Sequence, residues 1–146
     1  MSSDSELDKI LEEIQRELWS GYTEAVIDHA QQPRNVGSIP NADGFASVTG
    51  PCGDNMEIWL KVGDGKIKEV KFSTDGCGTT IAAGSMITEM AQGKGLAEAS
   101  KIARKDVLDA LGGLPEESEH CAQLAANSLK EAIKDYLAYK NEPWWE

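Results

Sequence analysis

Met56-Glu57-Ile58-Trp59-Leu60-Lys61-Val62, then Gly63-Asp64-Gly65, then Lys66-Ile67-Lys68-Glu69-Val70-Lys71-Phe72-Ser73, settles what kind of fold this chain adopts. Apolar Met56, Ile58, Leu60 and Val62 alternate with Glu57, Trp59 and Lys61. Strand side chains point alternately to two faces, so the pattern predicts a half-buried strand. Asp-Gly is a favoured hairpin pair, because the turn needs positive φ at both positions. Lys66 to Ser73 then returns with Val70 and Phe72 on one face, and upstream Phe45 to Thr49 reads as a weaker strand. The three make an antiparallel meander.

Helical periodicity surrounds this sheet. Leu7, Ile10, Leu11, Ile14 and Leu18 recur at helical spacing, which predicts an amphipathic helix over 5–19. Such a stripe more commonly covers the domain's own core than docks a partner helix. Gly21 interrupts it, and Tyr22 to Gln32 reads as a second helix stopped by Pro33. After the sheet, Thr79 to Ala91 carries Ile81, Ala82, Met86, Ile87 and Met90. Gly93-Lys94-Gly95 breaks that helix, and shorter ones are expected over 96–103 and 104–111. Gly112-Gly113-Leu114-Pro115 is a turn, and a long final helix aligns Cys121, Leu124, Ala125, Ser128, Leu129, Ala132 and Tyr136. Strands followed by helices are the α+β pattern: a three-stranded antiparallel sheet, helices packed mainly on one face, and a long C-terminal helix. The expected divisions are an N-terminal helix over 1–19, a domain over 20–140 and a tail over 141–146. The tail, with Trp144 and Trp145, is expected to be frayed or docked on the sheet.

The 146 residues suit one domain with an ordinary core. Fourteen Lys and Arg against 25 Asp and Glu give a net charge of −11. A nucleic-acid binder would need a basic face, and an anionic membrane surface would repel this chain. No apolar run approaches a membrane span. Met1 to Glu6 is polar and acidic, with neither a signal-peptide nor a transit-peptide pattern, so the expected location is cytoplasmic. In that compartment disulfides are rare, and an odd number of cysteines makes a closed disulfide framework less favourable still.

The chemistry lies in three cysteines: Cys52 within Pro51-Cys52-Gly53-Asp54, Cys77 within Gly76-Cys77-Gly78, and Cys121 directly after His120. In a short meander the end of the first strand, the start of the second and the end of the third lie together. Cys52, Asp54 and Cys77 are therefore expected at one sheet edge. Ser118 as an N-cap would place His120 and Cys121 in the first turn of the final helix. Free N–H groups at a helix start favour thiolate, which is expected for both Cys77 and Cys121. Thiolate is the form that binds metal or attacks a persulfide. Sulfur donors with one imidazole and one carboxylate suit zinc or an iron–sulfur cluster. The carboxylate of Asp54 is a hard, mismatched donor, and five candidates for four positions suggest ligand exchange and a removable cargo.

Plainer readings compete. A lone cysteine is usually a small buried hydrophobe, but all three here adjoin glycine, histidine or a nearby carboxylate. A structural zinc module would normally show close C-x2-C pairs, which are absent from the sequence. His29 is better read as a packed histidine than as a ligand. Gly93-Lys94-Gly95 lacks the rest of a phosphate loop and reads as a helix end.

The combination resembles the IscU/NifU-type iron–sulfur cluster assembly scaffold family. The resemblance runs from Tyr22-Thr23-Glu24-Ala25-Val26-Ile27-Asp28-His29 and Pro33-Arg34-Asn35-Val36-Gly37 through the three cysteine motifs, over about residues 20–140. It implies a non-enzymatic scaffold that takes persulfide sulfur from a cysteine desulfurase and iron from an iron donor. On it a labile [2Fe–2S] cluster is built and passed to apo-proteins, and zinc is sometimes bound at the same place. Cys52, Cys77 and Cys121 match the family's cluster and sulfur-accepting cysteines, Cys77 and Cys121 being the candidate persulfide acceptors. Asp54 matches an aspartate associated with release, and His120 matches a histidine ligand. A possible homo-oligomer sharing one cluster is also compatible.

Two departures bear on this. Members served by a dedicated DnaK-type chaperone carry Leu-Pro-Pro-Val-Lys, where this chain has Leu114-Pro115-Glu116-Glu117-Ser118, so that partner is not expected. The alternative is the zinc-dependent sulfurtransferase branch, a sulfur acceptor for a desulfurase. It has an insertion between the second and third cysteines and arginine for the histidine, whereas His120 is present here.

Overall fold

A computed structural model describes residues 2–18 and 20–140. The notion of a frayed or docked tail over 141–146 lies outside the described residues. Helices α1 (Ser2–Leu18) and α2 (Glu24–Gln31) precede strands β1 (Gly44–Thr49), β2 (Asn55–Gly63) and β3 (Lys66–Thr74). Helices α3 (Gly78–Ala91), α4 (Leu96–Ser100), α5 (Arg104–Leu111) and α6 (Glu119–Lys140) follow, with a 3-10 turn at Glu116–Ser118 ahead of α6.

The sheet has the expected order β1-β2-β3, all antiparallel. Asp64 and Gly65 take positive φ (57° and 73°), which is why Asp-Gly closes this hairpin. A bulge at Lys61/Val62 shifts the register near the turn. Met56, Ile58, Leu60, Val70 and Phe72 face inward and are fully or almost fully buried. Each contributes about 1.5–3 kcal/mol relative to exposure. Helices α3 and α6 cover that face. Gly84 of α3 lets the Phe72 ring approach so closely that an added Cβ would stand 2.5 Å from it. The buried side of α6 contains the expected Cys121, Leu124, Ala125, Ser128, Leu129 and Ala132, and is widened by Ala122, Ala126 and Ile133. The small residues let a long helix lie close to both the sheet and α3.

Several boundaries move for local reasons. Helix α2 starts at Glu24 rather than Tyr22 because Thr23 caps it, its Oγ1 accepting from Val26 N–H at 3.1 Å. That hydroxyl also donates to the Leu111 carbonyl, tying α2 to α5. Helix α4 stops at Ser100, short of the expected 103, because Ala103 is already the extended N-cap of α5. The stripe on α1 is a correction: Leu7, Ile10, Leu11 and Ile14 remain about half exposed and do not cover the domain's core. Among the described residues, the buried core is drawn from α2, the three strands and the helices α3 to α6, and takes none from α1.

His29 is packed, as its sequence context suggests, and is 5% exposed. Ser85 Oγ accepts from Arg34 N–H at 2.9 Å and lies 2.7 Å from His29 Nδ1. The other ring nitrogen, Nε2, faces the Glu89 carboxylate at 4.0 Å. Burial lowers the His29 pKa, and the Arg34 charge adds to that, against the opposing pull of Glu89 and Asp28.

Candidate functional site

Pairing brings the site's parts to one end of the sheet. Thr49 pairs with Asn55, and Met56 pairs with Thr74, so the β1–β2 connection and the exit of β3 are neighbours. Asn55 pins them together. Its side chain donates to Ser47 Oγ at 3.0 Å and Thr49 Oγ1 at 3.2 Å, and its N–H donates to Asp75 Oδ1 at 2.8 Å. The β1–β2 loop is a tight reversal in which Gly50 N–H reaches the Asp54 carbonyl at 2.8 Å and Gly53 takes φ 91°. Cys52 sits exposed at its tip.

Cys77 is the N-cap residue of α3 and is exposed. Helix α6 begins at Glu119, directly after Ser118, so His120 and Cys121 fall in its first turn as expected. His120 Nε2 lies 3.1 Å from Cys52 Sγ and 3.8 Å from Cys121 Sγ. The chain of contacts continues through two threonines. Thr79 Oγ1 lies 3.1 Å from Cys77 Sγ and 3.5 Å from Cys121 Sγ. Thr80 Oγ1 lies 3.4 Å from Cys121 Sγ and donates to Asp54 Oδ2 at 2.9 Å. All five sequence candidates, Cys52, Asp54, Cys77, His120 and Cys121, thus belong to one connected constellation.

Thr79 and Thr80 are the residues that sequence reading missed. Both are buried and stand between the thiols. Their signal was two consecutive hydroxyls in the first turn of a helix that opens on a cysteine.

The two thiols at helix starts behave differently. Burial pushes the Cys77 thiol up, but hydrogen bonds from the Thr79 hydroxyl and from the Thr80 and Thr79 N–H groups outweigh it and bring the thiol below its ordinary range. Burial pushes the Cys121 thiol up, and the hydrogen bond from the Thr79 hydroxyl does not offset that. The expectation of thiolate at both positions is therefore corrected for Cys121. Only 2% of it is exposed, and desolvation disfavours its charged form.

Among the described residues, no three His, Cys, Asp or Glu side chains close around a single ion-sized point. The hydroxyls of Thr79 and Thr80 each lie against the sulfurs of both Cys77 and Cys121. The donor set of three sulfurs, one imidazole and one carboxylate suits iron–sulfur chemistry, in an arrangement that is open rather than a closed zinc tetrahedron.

Comparison with known proteins gives a consistent answer. Over 117 residues the chain is 53% identical to the iron–sulfur cluster assembly scaffold protein IscU 1 of Archaeoglobus fulgidus, covering 80% of this chain and 76% of that protein. It is 46% identical over 120 residues to the scaffold protein IscU of Escherichia coli K12, covering 79% and 93%. The crystal structure of a nitrogen-fixing NifU-like protein (N-terminal) from Brucella abortus aligns with a TM-score of 0.64 at 18% identity, covering 79% of this chain and 93% of that one. The last shows the same fold. Residues 21–143 match the family described as the NifU-like N terminal domain, and the chain belongs to that family.

Proposed function

We propose that this protein is a scaffold on which an iron–sulfur cluster is assembled and from which it passes to apo-proteins. The observation that carries this is the row Cys52, His120, Cys121 and Cys77, with Asp54 joined to it through Thr80, at an accessible end of the sheet. The 53% identity to a curated IscU scaffold supports the same reading. The cargo is a [2Fe–2S] cluster, which needs four protein ligands. Cys52, Cys77 and Cys121 supply three, and His120 or Asp54 supplies the fourth. Zinc occupies the same donors when iron and sulfide are lacking. The functional unit spans 20–140, works in the cytoplasm and catalyses no turnover of its own.

Sulfur arrives from a cysteine desulfurase. Cys77 is the better first acceptor, because it is exposed and its thiolate is favoured. The thiolate attacks the outer sulfur of the donor's persulfide, the donor S–S bond breaks, and the donor cysteine leaves as thiolate. Cys121, buried and held protonated, joins later as a ligand.

The test is oxygen-free reconstitution with iron and sulfide, followed by absorption and Mössbauer spectroscopy. Sulfide-to-iron charge-transfer bands and two irons per cluster are expected; a colourless protein refutes the reading. Asp54→Ala should retain the cluster several-fold longer in the presence of an apo-acceptor, since the mismatched oxygen donor is gone. Faster loss would reverse the role given to Asp54.

A further inference from the structure

We infer that Thr80 is a positioning residue that holds the Asp54 carboxylate away from the thiols, and so sets how easily that oxygen enters the coordination shell. The inference rests on the reading of Asp54 as an exchangeable donor. Thr80 is fully buried, and its Oγ1 donates to Asp54 Oδ2 at 2.9 Å. The same oxygen lies 3.4 Å from Cys121 Sγ and 3.9 Å from Cys77 Sγ.

A hydroxyl has one proton to give. A carboxylate is a stronger acceptor than the neutral Cys121 thiol, and Asp54 Oδ2 at 2.9 Å is far nearer than Cys77 Sγ at 3.9 Å, so the proton is directed at Asp54. Toward the sulfurs, Thr80 then offers only its lone pairs. One carboxylate oxygen is thereby occupied and its orientation fixed by a residue that itself cannot turn.

The immobility of Thr80 has a structural cause. Gly76 backs onto it: a Cβ at Gly76 would stand 2.6 Å from Thr80 Cβ and Oγ1 and 2.7 Å from Cγ2. Thr80 also lies in the first turn of α3, where its backbone is fixed by the helix. Gly76 N–H in turn donates to Thr74 Oγ1 at 3.1 Å, so the glycine cannot move away without loosening the end of β3. The threonine rotamer is therefore clamped from the loop side and the helix side together.

Thr80→Val removes the proton and keeps the branched shape. Asp54 is then free to swing toward bound metal. Two consequences follow with opposite signs. Apo-protein should bind zinc about tenfold more tightly, measured by competition with a chromophoric chelator, because zinc accepts a carboxylate. The reconstituted cluster should leave about tenfold faster, because the carboxylate displaces a sulfur-compatible donor more often. Thr80→Ser keeps the hydroxyl and should resemble wild type in both measurements. In an Asp54→Ala background, Thr80→Val should change neither.

Equal zinc affinity in wild type and Thr80→Val overturns the inference, as does Thr80→Ser behaving like Thr80→Val, which would assign the effect to packing. A Thr80→Val effect that persists without Asp54 overturns it as well. The zinc measurement needs no cluster. Failure of wild type to form a cluster would strike the proposed function, whereas failure of the zinc coupling in a cluster-forming protein strikes this inference alone.

Discussion

Gly84→Ala tests how tightly α3 is seated on the sheet, and hence how firmly Cys77 and the threonines are held. In isolation the change should help, since alanine is favoured over glycine in a helix by about 1 kcal/mol. Against that, the new Cβ would stand 2.5 Å from Phe72 Cδ2 and Cε2. The ring is 1% exposed and has no solvent side to turn to. Its backbone cannot retreat either, because Phe72 N–H donates to the Asn35 carbonyl and the Phe72 carbonyl accepts from Gly37 N–H, each at 2.9 Å. Overpacking of this kind costs about 1–3 kcal/mol, and the closed surroundings place this case at the upper end. The net expectation is a loss of about 2 kcal/mol, or about 6 °C in Tm for a chain of this length. Urea unfolding of the apo-protein by circular dichroism should show a lower midpoint with an unchanged slope. Phe72→Leu should make the two losses less than additive by giving the methyl room. A Gly84→Ala protein as stable as wild type, or more so, refutes the argument.

Apo-protein stability should fall as pH drops below 6.5, the ordinary His29 value, toward its lower folded value, since the unfolded chain binds the proton more readily. His29→Asn should flatten that slope, and an unchanged slope would remove His29 as its source. Alkylation at neutral pH should modify Cys77 about tenfold faster than Cys121, read by peptide mass, because exposure and thiolate character both favour Cys77. Equal rates would contradict the contrast drawn between them. Chelation should leave the circular dichroism spectrum of the protein intact, because the core closes without metal; unfolding by chelator alone would instead indicate a structural metal module.

Much of this was legible from local pattern. The period-two run of β2, the Asp-Gly turn and the glycine breaks around α3 carry their own physics, and the strand pairings follow them closely. The meander also explains why Cys52, Asp54 and Cys77 meet. Tertiary context was needed for three things. The fate of the α1 stripe depends on whether the core has an open side, which periodicity does not encode. The contrast between Cys77 and Cys121 depends on burial, and a helix start alone does not distinguish them. Thr79 and Thr80 acquire their roles only when α6 brings Cys121 against α3.

Helix α6 has a consequence for the order in which the molecule becomes competent. It carries His120 and Cys121 in its first turn, yet its later turns lie against β1, where Asp135 receives the Phe45 N–H at 3.0 Å and Gly44 leaves room for the Ala132 carbonyl. A chain emerging from the ribosome releases Cys52 and Cys77 long before these later turns. Until then Cys52 and Cys77 stand without His120 and Cys121. Only when the later turns of α6 have zipped onto the first strand does the full set stand together, so the pairing of β1 with a helix far along the chain is also the step that assembles the site.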